Sequence, residues 1–329
     1  MADRSGSQRT NPRKQARAER AERHTEQMAV RYGKEIERSL AGVRRVEAPV
    51  AVEVEACVPE VSVVDADSVA AILETGRGRA EFCDLAVLDF ASFTNPGGGY
   101  IRGAWAQEEA LCAESFLYNV LEKQRDWYGE NRRRNINCDL YRNRGLVVPK
   151  VRFARENIHA YADVLVIAAP NARRAREEYK VKDEVLVRSM RERIRFVLDV
   201  VDMLGHKKVV LGAWGCGVFG WDAGAVAELF REELGAAAHG VERALFAIPD
   251  APYDENFDMF THALATFPEK NPVSFDEVAA ERAAAAAFSF SRGVSHTSTR
   301  VGCLLHADGA MRPASRTVLS FSNSTGRPS

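Results

Sequence analysis

The stretch from Asn95 to Glu109, NPGGGYIRGAWAQEE, holds the residues of this chain that are best suited to chemistry. Three consecutive glycines let backbone N–H groups approach an anion closely, and the start of a helix adds positive dipole there. Gln107, Glu108 and Glu109 open the segment that follows. Two adjacent carboxylates do not suit phosphate binding, but they suit acid–base chemistry beside a bound phosphate. Taken alone, the three glycines fit a surface loop followed by a helix cap as well as they fit an anion-binding site.

A second glycine-rich segment, Gly215-Cys-Gly-Val-Phe-Gly220, lies between an apolar strand and a helical segment. It matches the G-x-G-x-x-G pattern of dinucleotide-binding proteins. That motif usually opens its domain, whereas this segment comes late in the chain. The acidic residue at the expected distance, Glu242, also stands at the start of a strand rather than at its end. No lysine follows the glycines as it would in a P-loop. A nucleotide-dependent oxidoreductase therefore remains only a rival class.

Gly97-Gly98-Gly99, seven residues and then Gln107-Glu108-Glu109 resemble the signature of poly(ADP-ribose) glycohydrolases. The flanking segments LAVLDFASFTNPGGG and ALCAESFLY resemble the microbial type, whose fold is a macrodomain. The segment Gly215–Gly220 resembles the second phosphate loop of macrodomains, which wraps a diphosphate. The resemblance covers about residues 50–265. It implies an α/β fold of three layers, with a mixed central sheet flanked by helices.

The activity that this resemblance implies is hydrolysis of the ribose–ribose O-glycosidic bond of poly(ADP-ribose). Such a bond breaks through an oxocarbenium-like centre, so a carboxylic acid must protonate the departing oxygen. By resemblance, Glu109 is the catalytic acid, and Glu108 binds and orients the ribose. The substrate-binding residues implied in the same way are Asn95, Gly97, Gly98, Gly99, Gln107, Gly215, Cys216, Gly217, Val218 and Phe219. Phe219 is expected to stack on the substrate, and no cofactor or metal is expected.

The composition sets the remaining bounds. The chain has 329 residues, 46% hydrophobic and 28% charged, as expected for a globular protein with one large core. A net charge of −1 gives no overall field for nucleic acid. No apolar run is long enough for a membrane span, and the polar N-terminus is not a secretory signal. The cysteines show no CxxC pair and no zinc spacing, which favours a reduced intracellular protein. They are Cys57, Cys83, Cys112, Cys138, Cys216 and Cys303.

Hydrophobic periodicity predicts the elements that position the glycine segments. Buried strands are predicted at Leu85–Phe90, Asp163–Pro170 and Lys207–Leu211, because these runs are continuously apolar. Helices are predicted over Ala106–Gln124 and Lys182–Leu204. A strand pair or one kinked strand is predicted around Pro149, and the arginine-rich segment 126–143 is predicted to be a loop.

Three domains are expected. Residues 1–48 carry 12 Lys/Arg against 7 Asp/Glu and form a basic helical extension, either solvated or an arm for a polyanion. Residues 49–268 form the macrodomain-like catalytic domain. Residues 269–329 form a low-complexity tail that is expected to be disordered.

Two further interpretations stay open: a macrodomain that binds ADP-ribose without cleaving it, and a hydrolase of mono-ADP-ribosylated protein or a small ADP-ribose derivative. The expected partners are poly(ADP-ribose) or ADP-ribosylated proteins, without direct contact to nucleic acid or a membrane. A monomer in the cytoplasm is expected, or in the nucleus if the source is eukaryotic.

Overall fold

Seven strands form one mixed sheet in the computed structural model, which describes residues 11–134 and 140–281. The strands are β1 (Arg44–Glu47), β2 (Glu60–Val64), β3 (Leu85–Phe90), β4 (Arg144–Arg155), β5 (Ile158–Ile167), β6 (Lys208–Leu211) and β7 (Arg243–Ala247). Their order across the sheet is β1-β4-β5-β3-β6-β7-β2. The pairs β1–β4 and β4–β5 are antiparallel, and all others are parallel. The predicted mixed sheet is thereby confirmed.

Helices cover both faces of this sheet and give the three layers. They are α1 (Pro12–Ala41), α2 (Ser68–Thr75), α3 (Gln107–Ala113), α4 (Leu117–Leu121), α5 (Arg125–Arg134), α6 (Ala172–Glu177), α7 (Asp183–Leu204), α8 (Ala223–Gly235) and α9 (Asn256–Leu264). One apolar core joins the sheet to α6, α7, α8 and α9. A second core joins the opposite face to α1, α2, α3, α4 and α5. Because the sheet is buried on both faces, its central strands read as continuous apolar runs.

Strand β3 lies at the centre, hydrogen-bonded in parallel to β5 on one side and to β6 on the other. The carboxyl ends of these three strands therefore meet at one edge of the sheet. In open α/β sheets this edge is where ligands bind. The first glycine segment follows β3 and the second follows β6, so the topology brings the two together.

Two local predictions differ from the structure. The helix predicted over 106–124 is divided into α3 and α4 at Ser115, whose hydroxyl donates to Leu111 O and accepts from Leu117 N. The predicted loop 126–143 contains α5, because Trp127 and Tyr128 supply a buried apolar face among the arginines. Around Pro149, where a strand pair or one kinked strand was predicted, the structure has one strand, β4, with a bulge between Val148 and Val151.

The predicted N-terminal helix is confirmed, and it packs against the segment that follows the three glycines. Asn11 caps α1, with its Oδ1 accepting from Arg13 N at 3.0 Å, and Pro12 occupies the first turn. A Cβ on Gly103 would lie 2.0 Å from Lys14 O, so only glycine permits this approach. Arg17 Nε also donates to Gly103 O at 2.8 Å. The helix is thus part of the wall behind the first glycine segment rather than a free arm.

The beginning of the predicted tail belongs to the folded body. Asn271 Nδ2 donates to His262 O at 2.9 Å, and a further helix begins at residue 275 and reaches residue 281. Residues 282–329, which hold the rest of the predicted disordered tail, lie outside the described residues, as do residues 1–10.

Candidate active site

A cleft of about 230 Å³ opens where the carboxyl ends of β3, β5 and β6 meet. Both glycine segments contribute to its wall, together with the first turn of α3. The lining residues are Phe90, Ala91, Ser92, Gly98, Ala106, Gln107, Glu108, Glu109, Ala169, Ala213, Trp214, Gly215, Gly217, Val218 and Phe219. The structure therefore brings eight of the twelve predicted site residues into one cleft.

The two glutamates in the first turn of α3 are each held by one backbone N–H and leave one oxygen free. Ser92 N donates to Glu108 Oε2 at 2.7 Å, and Gly99 N donates to Glu109 Oε1 at 2.8 Å. The side chains are only 4% and 6% exposed. Glu108 Oε1 and Glu109 Oε2 have no hydrogen-bond partner among the described residues. The site thus holds two fixed carboxyl groups at the cleft wall, each with one buried oxygen that has no hydrogen-bond partner in the described part of the chain.

The triple-glycine turn is folded around these carboxyl groups. A Cβ on Gly98 would lie 2.5 Å from Glu109 Oε1 and 2.7 Å from Glu108 Oε2. Gly97 and Gly98 have φ of 60° and 59°, a region that glycine enters without strain. Gly98 N donates to Asn95 O at 3.1 Å, while Gly99 N is taken by Glu109. The N–H groups of Gly98 and Gly99 therefore donate to acceptors within the protein, whereas the sequence interpretation expected them to donate to a diphosphate.

Gln107 fastens the start of α3 to the end of β3. Its Oε1 accepts from Phe90 N at 2.8 Å, and its Nε2 donates to Leu88 O at 2.9 Å and to Ser68 Oγ at 3.1 Å. Both ends of the amide are occupied by protein groups. Gln107 borders the cleft, but its visible role is to fix the helix that carries Glu108 and Glu109.

Asp89 is a third carboxylate of the site, which the sequence analysis did not single out. It lies on β3, is fully buried, and neither of its oxygens has a partner among the residues described. Burial and the nearby charge of Glu109 raise the pKa of Asp89 well above its ordinary value. Burial and the charge of Asp89 likewise raise the pKa of Glu108. The signal was present in the sequence, since one acidic residue interrupts the apolar run LAVLDF.

The raised pKa of Asp89 gives a stability prediction. The folded state holds this proton more tightly than the unfolded chain, so the stabilisation is complete below the unfolded pKa and is lost as pH rises through the folded pKa. We therefore expect Asp89→Asn to increase the free energy of unfolding by about 1–3 kcal/mol at pH 8 and to change it little at pH 4. Urea unfolding at both pH values measures the difference. An equal effect at both would show that Asp89 does not carry this proton.

The second glycine segment faces the glutamates across the cleft. Gly215 has a φ of 82°, and a Cβ there would lie 2.8 Å from the Trp221 ring. The backbone N–H groups of Gly217, Val218 and Phe219 have no acceptor in the part of the chain that the structure describes. Three adjacent unpaired N–H groups ahead of helix α8 form an anion-binding concavity. This segment therefore has free backbone donors of the kind that a diphosphate needs.

Phe219 belongs to an aromatic group at the edge of the cleft that includes Tyr141, a residue the sequence analysis missed. The Tyr141 ring stacks on Phe93 with centroids 4.7 Å apart and lies 6.0 Å from the ring of Phe219. Tyr141 has a φ of 64°, which is unusual for an aromatic residue. The buried guanidinium of Arg193 holds this turn by donating to Leu140 O at 2.8 Å and to Ala168 O. Such a contact between distant segments leaves no local sequence signal.

Four predicted residues lie beside the cleft without lining it: Asn95, Gly97, Gly99 and Cys216. Asn95 Nδ2 donates to Thr94 Oγ1 at 3.2 Å, and its Oδ1 accepts from Arg132 Nη2 at 3.3 Å. Gly97 packs against Tyr118, which a Cβ would approach to 2.7 Å. Burial raises the pKa of the Cys216 thiol, which keeps it protonated and unsuited to be a nucleophile.

Comparison with known proteins agrees with this geometry. The model of the microbial-type PARG catalytic domain matches residues 12–156. The crystal structure of poly(ADP-ribose) glycohydrolase (PARG) from Thermomonospora curvata is 28% identical, with a TM-score of 0.65, and the match covers 75% of this chain and 98% of that one. The Deinococcus radiodurans PARG in complex with ADP-ribose is also 28% identical, with a TM-score of 0.61 and coverage of 71% and 98%. No curated protein matches the chain.

The first half of the chain thus resembles the microbial-type PARG catalytic domain, and most of the chain shares the fold of the bacterial PARG structures. The family match begins with α1, so it includes most of the segment that the sequence analysis treated as an extension. This fits the close contact between α1 and the first glycine segment. The macrodomain-like, three-layer fold expected from the resemblance is confirmed.

The described residues contain neither a cluster of metal-ligating side chains nor a helix suited to cross a membrane. Within 11–134 and 140–281, no three His, Cys, Asp or Glu side chains are grouped to hold a metal ion. Over the same residues, no helix combines the length and apolar character needed to cross a membrane.

Proposed function

We propose that the protein hydrolyses the ribose–ribose O-glycosidic bonds of poly(ADP-ribose) and releases ADP-ribose. The observation that carries the proposal is the pair of buried carboxyl groups, Glu108 and Glu109, each with one anchored and one free oxygen, facing a loop of unpaired N–H groups. The match of residues 12–156 to the microbial-type PARG catalytic domain and the similarity to PARG structures with ADP-ribose or the inhibitor ADP-HPD support it.

In this proposal the second glycine segment binds the diphosphate of the terminal ADP-ribose unit. The N–H groups of Gly217, Val218 and Phe219 donate to phosphate oxygens, and the start of α8 adds positive dipole. The Phe219 ring, placed by its contact with Tyr141, packs on the substrate. In the first segment, Gly98 N donates to Asn95 O and Gly99 N donates to Glu109 Oε1.

Glu109 serves as the general acid. Its free Oε2 carries the proton to the oxygen that leaves with the next unit, and the C–O bond breaks to give an oxocarbenium-like ribose. Water then adds to the anomeric carbon, and its proton returns to Glu109. Once Glu109 has given up its proton, its carboxylate charge stabilises the cation while it exists.

Glu108 holds the ribose so that the scissile oxygen meets Glu109. Adjacent residues on a helix point about 100° apart, so the two carboxyl groups cannot act on the same atom. The free Glu108 Oε1 is suited to accept from a ribose hydroxyl, while Ser92 N fixes the other oxygen. Gln107 and Asp89 act behind them, Gln107 as a tie to β3 and Asp89 as a proton-holding neighbour.

The proposed partners are therefore poly(ADP-ribose) and ADP-ribosylated proteins, bound by a monomer without direct contact to nucleic acid. An intracellular, cytoplasmic location is proposed with them, because the thiols of Cys57, Cys83, Cys112 and Cys216 are all free.

The test of this function uses two substrates and two ligands. Wild-type protein should release ADP-ribose from poly(ADP-ribose), and ADP-ribose should raise the melting temperature far more than NADH does, because a ligand that binds only the folded state stabilises it. Binding of ADP-ribose without release would indicate a non-catalytic reader. Release of ADP-ribose only from mono-ADP-ribosylated protein would indicate the other hydrolase class. Stabilisation by NADH but not by ADP-ribose would exclude the hydrolases and the ADP-ribose reader alike.

A further inference from the structure

A second groove, of about 380 Å³, lies outside the cleft, between α1 and the segment that links the glycines to α3. Its lining is basic and aromatic. The residues are Arg17, Arg20, Ala21, Arg23, His24, Gln27, Tyr100, Ala104, Trp105 and Ala113. The function proposed above does not use this groove.

The positive charge of the groove comes from one side of α1. Arg17, Arg20 and Arg23 follow each other at three-residue spacing, which places them on adjoining positions of the helix. Arg17 Nε is fixed by Gly103 O. Arg20 and Arg23 are exposed and form no ion pair with any residue from 11–134 or 140–281. Their guanidinium groups remain available to an anionic ligand.

Trp105 supplies a flat apolar surface beside these charges. Its side chain is 62% exposed, although an indole of this size is usually largely buried. An aromatic ring next to arginines is the arrangement with which proteins bind a nucleobase and its phosphates, the base stacking on the ring. The groove therefore matches the chemistry of an adenine attached to a diphosphate.

The groove adjoins the catalytic end of the cleft. Ala104 and Trp105 line the groove, while Ala106, the next residue, lines the cleft. A Cβ on Gly99 would lie 2.5 Å from the Ala104 Cβ, and Gly99 N binds Glu109. One short segment thus separates the acid from the groove.

We propose that the groove binds the ADP-ribose unit on the leaving side of the scissile bond. Arg20 and Arg23 pair with its diphosphate, and Trp105 stacks on its adenine. This inference rests on the proposed function, because only a polymer places a second unit beside the acid. Each unit of poly(ADP-ribose) carries two phosphates and one adenine, which are the groups that this surface can bind.

The test compares Trp105→Ala and the double variant Arg20→Ala/Arg23→Ala with wild type. Base stacking contributes about 1–3 kcal/mol, so Trp105→Ala should lower kcat/KM for poly(ADP-ribose) about tenfold. The double variant should lower it at low salt and reduce the slope of log(kcat/KM) against log[salt] by about 0.7 for each arginine removed. Both should bind free ADP-ribose within twofold of wild type, because one ADP-ribose unit occupies only the cleft.

Matched variants keep the result specific. Trp105→Phe retains an aromatic face and should keep most of the activity on polymer. Arg188→Ala removes an exposed arginine from α7, on the opposite side of the sheet, and should change nothing. Polymer affinity is also measured in a Glu109→Gln background, so that binding is read without turnover.

The outcomes separate the two proposals. If Trp105→Ala and the double variant bind and cleave polymer like wild type, the groove proposal is wrong while the proposed function stands. If wild type binds ADP-ribose but never cleaves polymer, the proposed function fails, and polymer affinity in the Glu109→Gln background still decides the groove. If the variants lose affinity for single-stranded RNA but not for polymer, the groove is a nucleic-acid site and the proposal fails.

Discussion

Replacement of Glu109 by glutamine is expected to lower kcat for poly(ADP-ribose) by about 10²–10⁴-fold while ADP-ribose binds within a few-fold of wild type. The glutamine Oε1 can still accept from Gly99 N, so the side chain keeps its place over the glycine turn. Its amide replaces the free Oε2, which is the oxygen that delivers the proton in the proposed mechanism. The loss should therefore fall on the chemical step rather than on binding.

Glu108→Gln provides the contrast to this result. Its free Oε1 is proposed to hold a ribose hydroxyl, so this variant should lose ADP-ribose affinity as well as rate. Glu184→Gln, at an exposed position in the first turn of α7, is the control and should behave like wild type. Steady-state rates on polymer and calorimetric ADP-ribose affinities measure all three. Near wild-type turnover by Glu109→Gln would mean that another group is the acid.

The sequence predicted the parts of the site that are continuous in the chain. Glu108 and Glu109 follow a glycine turn after a buried strand, and this local order places them at the carboxyl edge of the sheet. The second segment, Gly215–Phe219, was assigned to the diphosphate because it resembles the second phosphate loop of macrodomains. The structure places both segments in the wall of one cleft.

What the sequence could not predict depends on contacts between distant segments. Gln107 could not be recognised as a tie to β3, because its partners are the backbone of Leu88 and Phe90. The support of Tyr141 by Arg193 joins residues 52 positions apart, in a turn that was expected to be a plain loop. The hydrogen-bond partners of the first glycine segment could not be predicted either, because only the fold shows that Gly99 N donates to Glu109 Oε1.

The N-terminal helix illustrates a further limit. Its charge pattern alone allowed either a solvated helix or a polyanion-binding arm. The contact of Gly103 with Lys14 O, which no periodicity predicts, places the basic face of α1 next to the segment that leads to Glu108 and Glu109. Position in the fold, rather than charge, makes these arginines candidates for binding the substrate.

Gly98→Ala removes no carboxyl group from the site, but it should greatly reduce activity by displacing two of them. The new Cβ would lie 2.5 Å from Glu109 Oε1 and 2.7 Å from Glu108 Oε2, well inside van der Waals contact. At a φ of 59° an alanine also adds about 1–2 kcal/mol of backbone strain. The glutamate side chains have flexible ends, so they should move aside rather than unfold the protein.

The expected result of Gly98→Ala is therefore a loss of at least about 10²-fold in kcat for polymer with a modest loss of stability, about 1–3 kcal/mol. A displacement of reacting groups by about 1 Å costs roughly 10²-fold. Gly33→Ala, a helical position of α1 where a Cβ meets nothing within 4 Å, is the control, and it should raise stability by about 0.5–1 kcal/mol with full activity. Turnover on polymer and thermal unfolding distinguish these outcomes. If Gly98→Ala keeps more than about a tenth of wild-type turnover, the glycine turn does not position Glu108 and Glu109, and their geometry must be set by α3 and Gln107 alone.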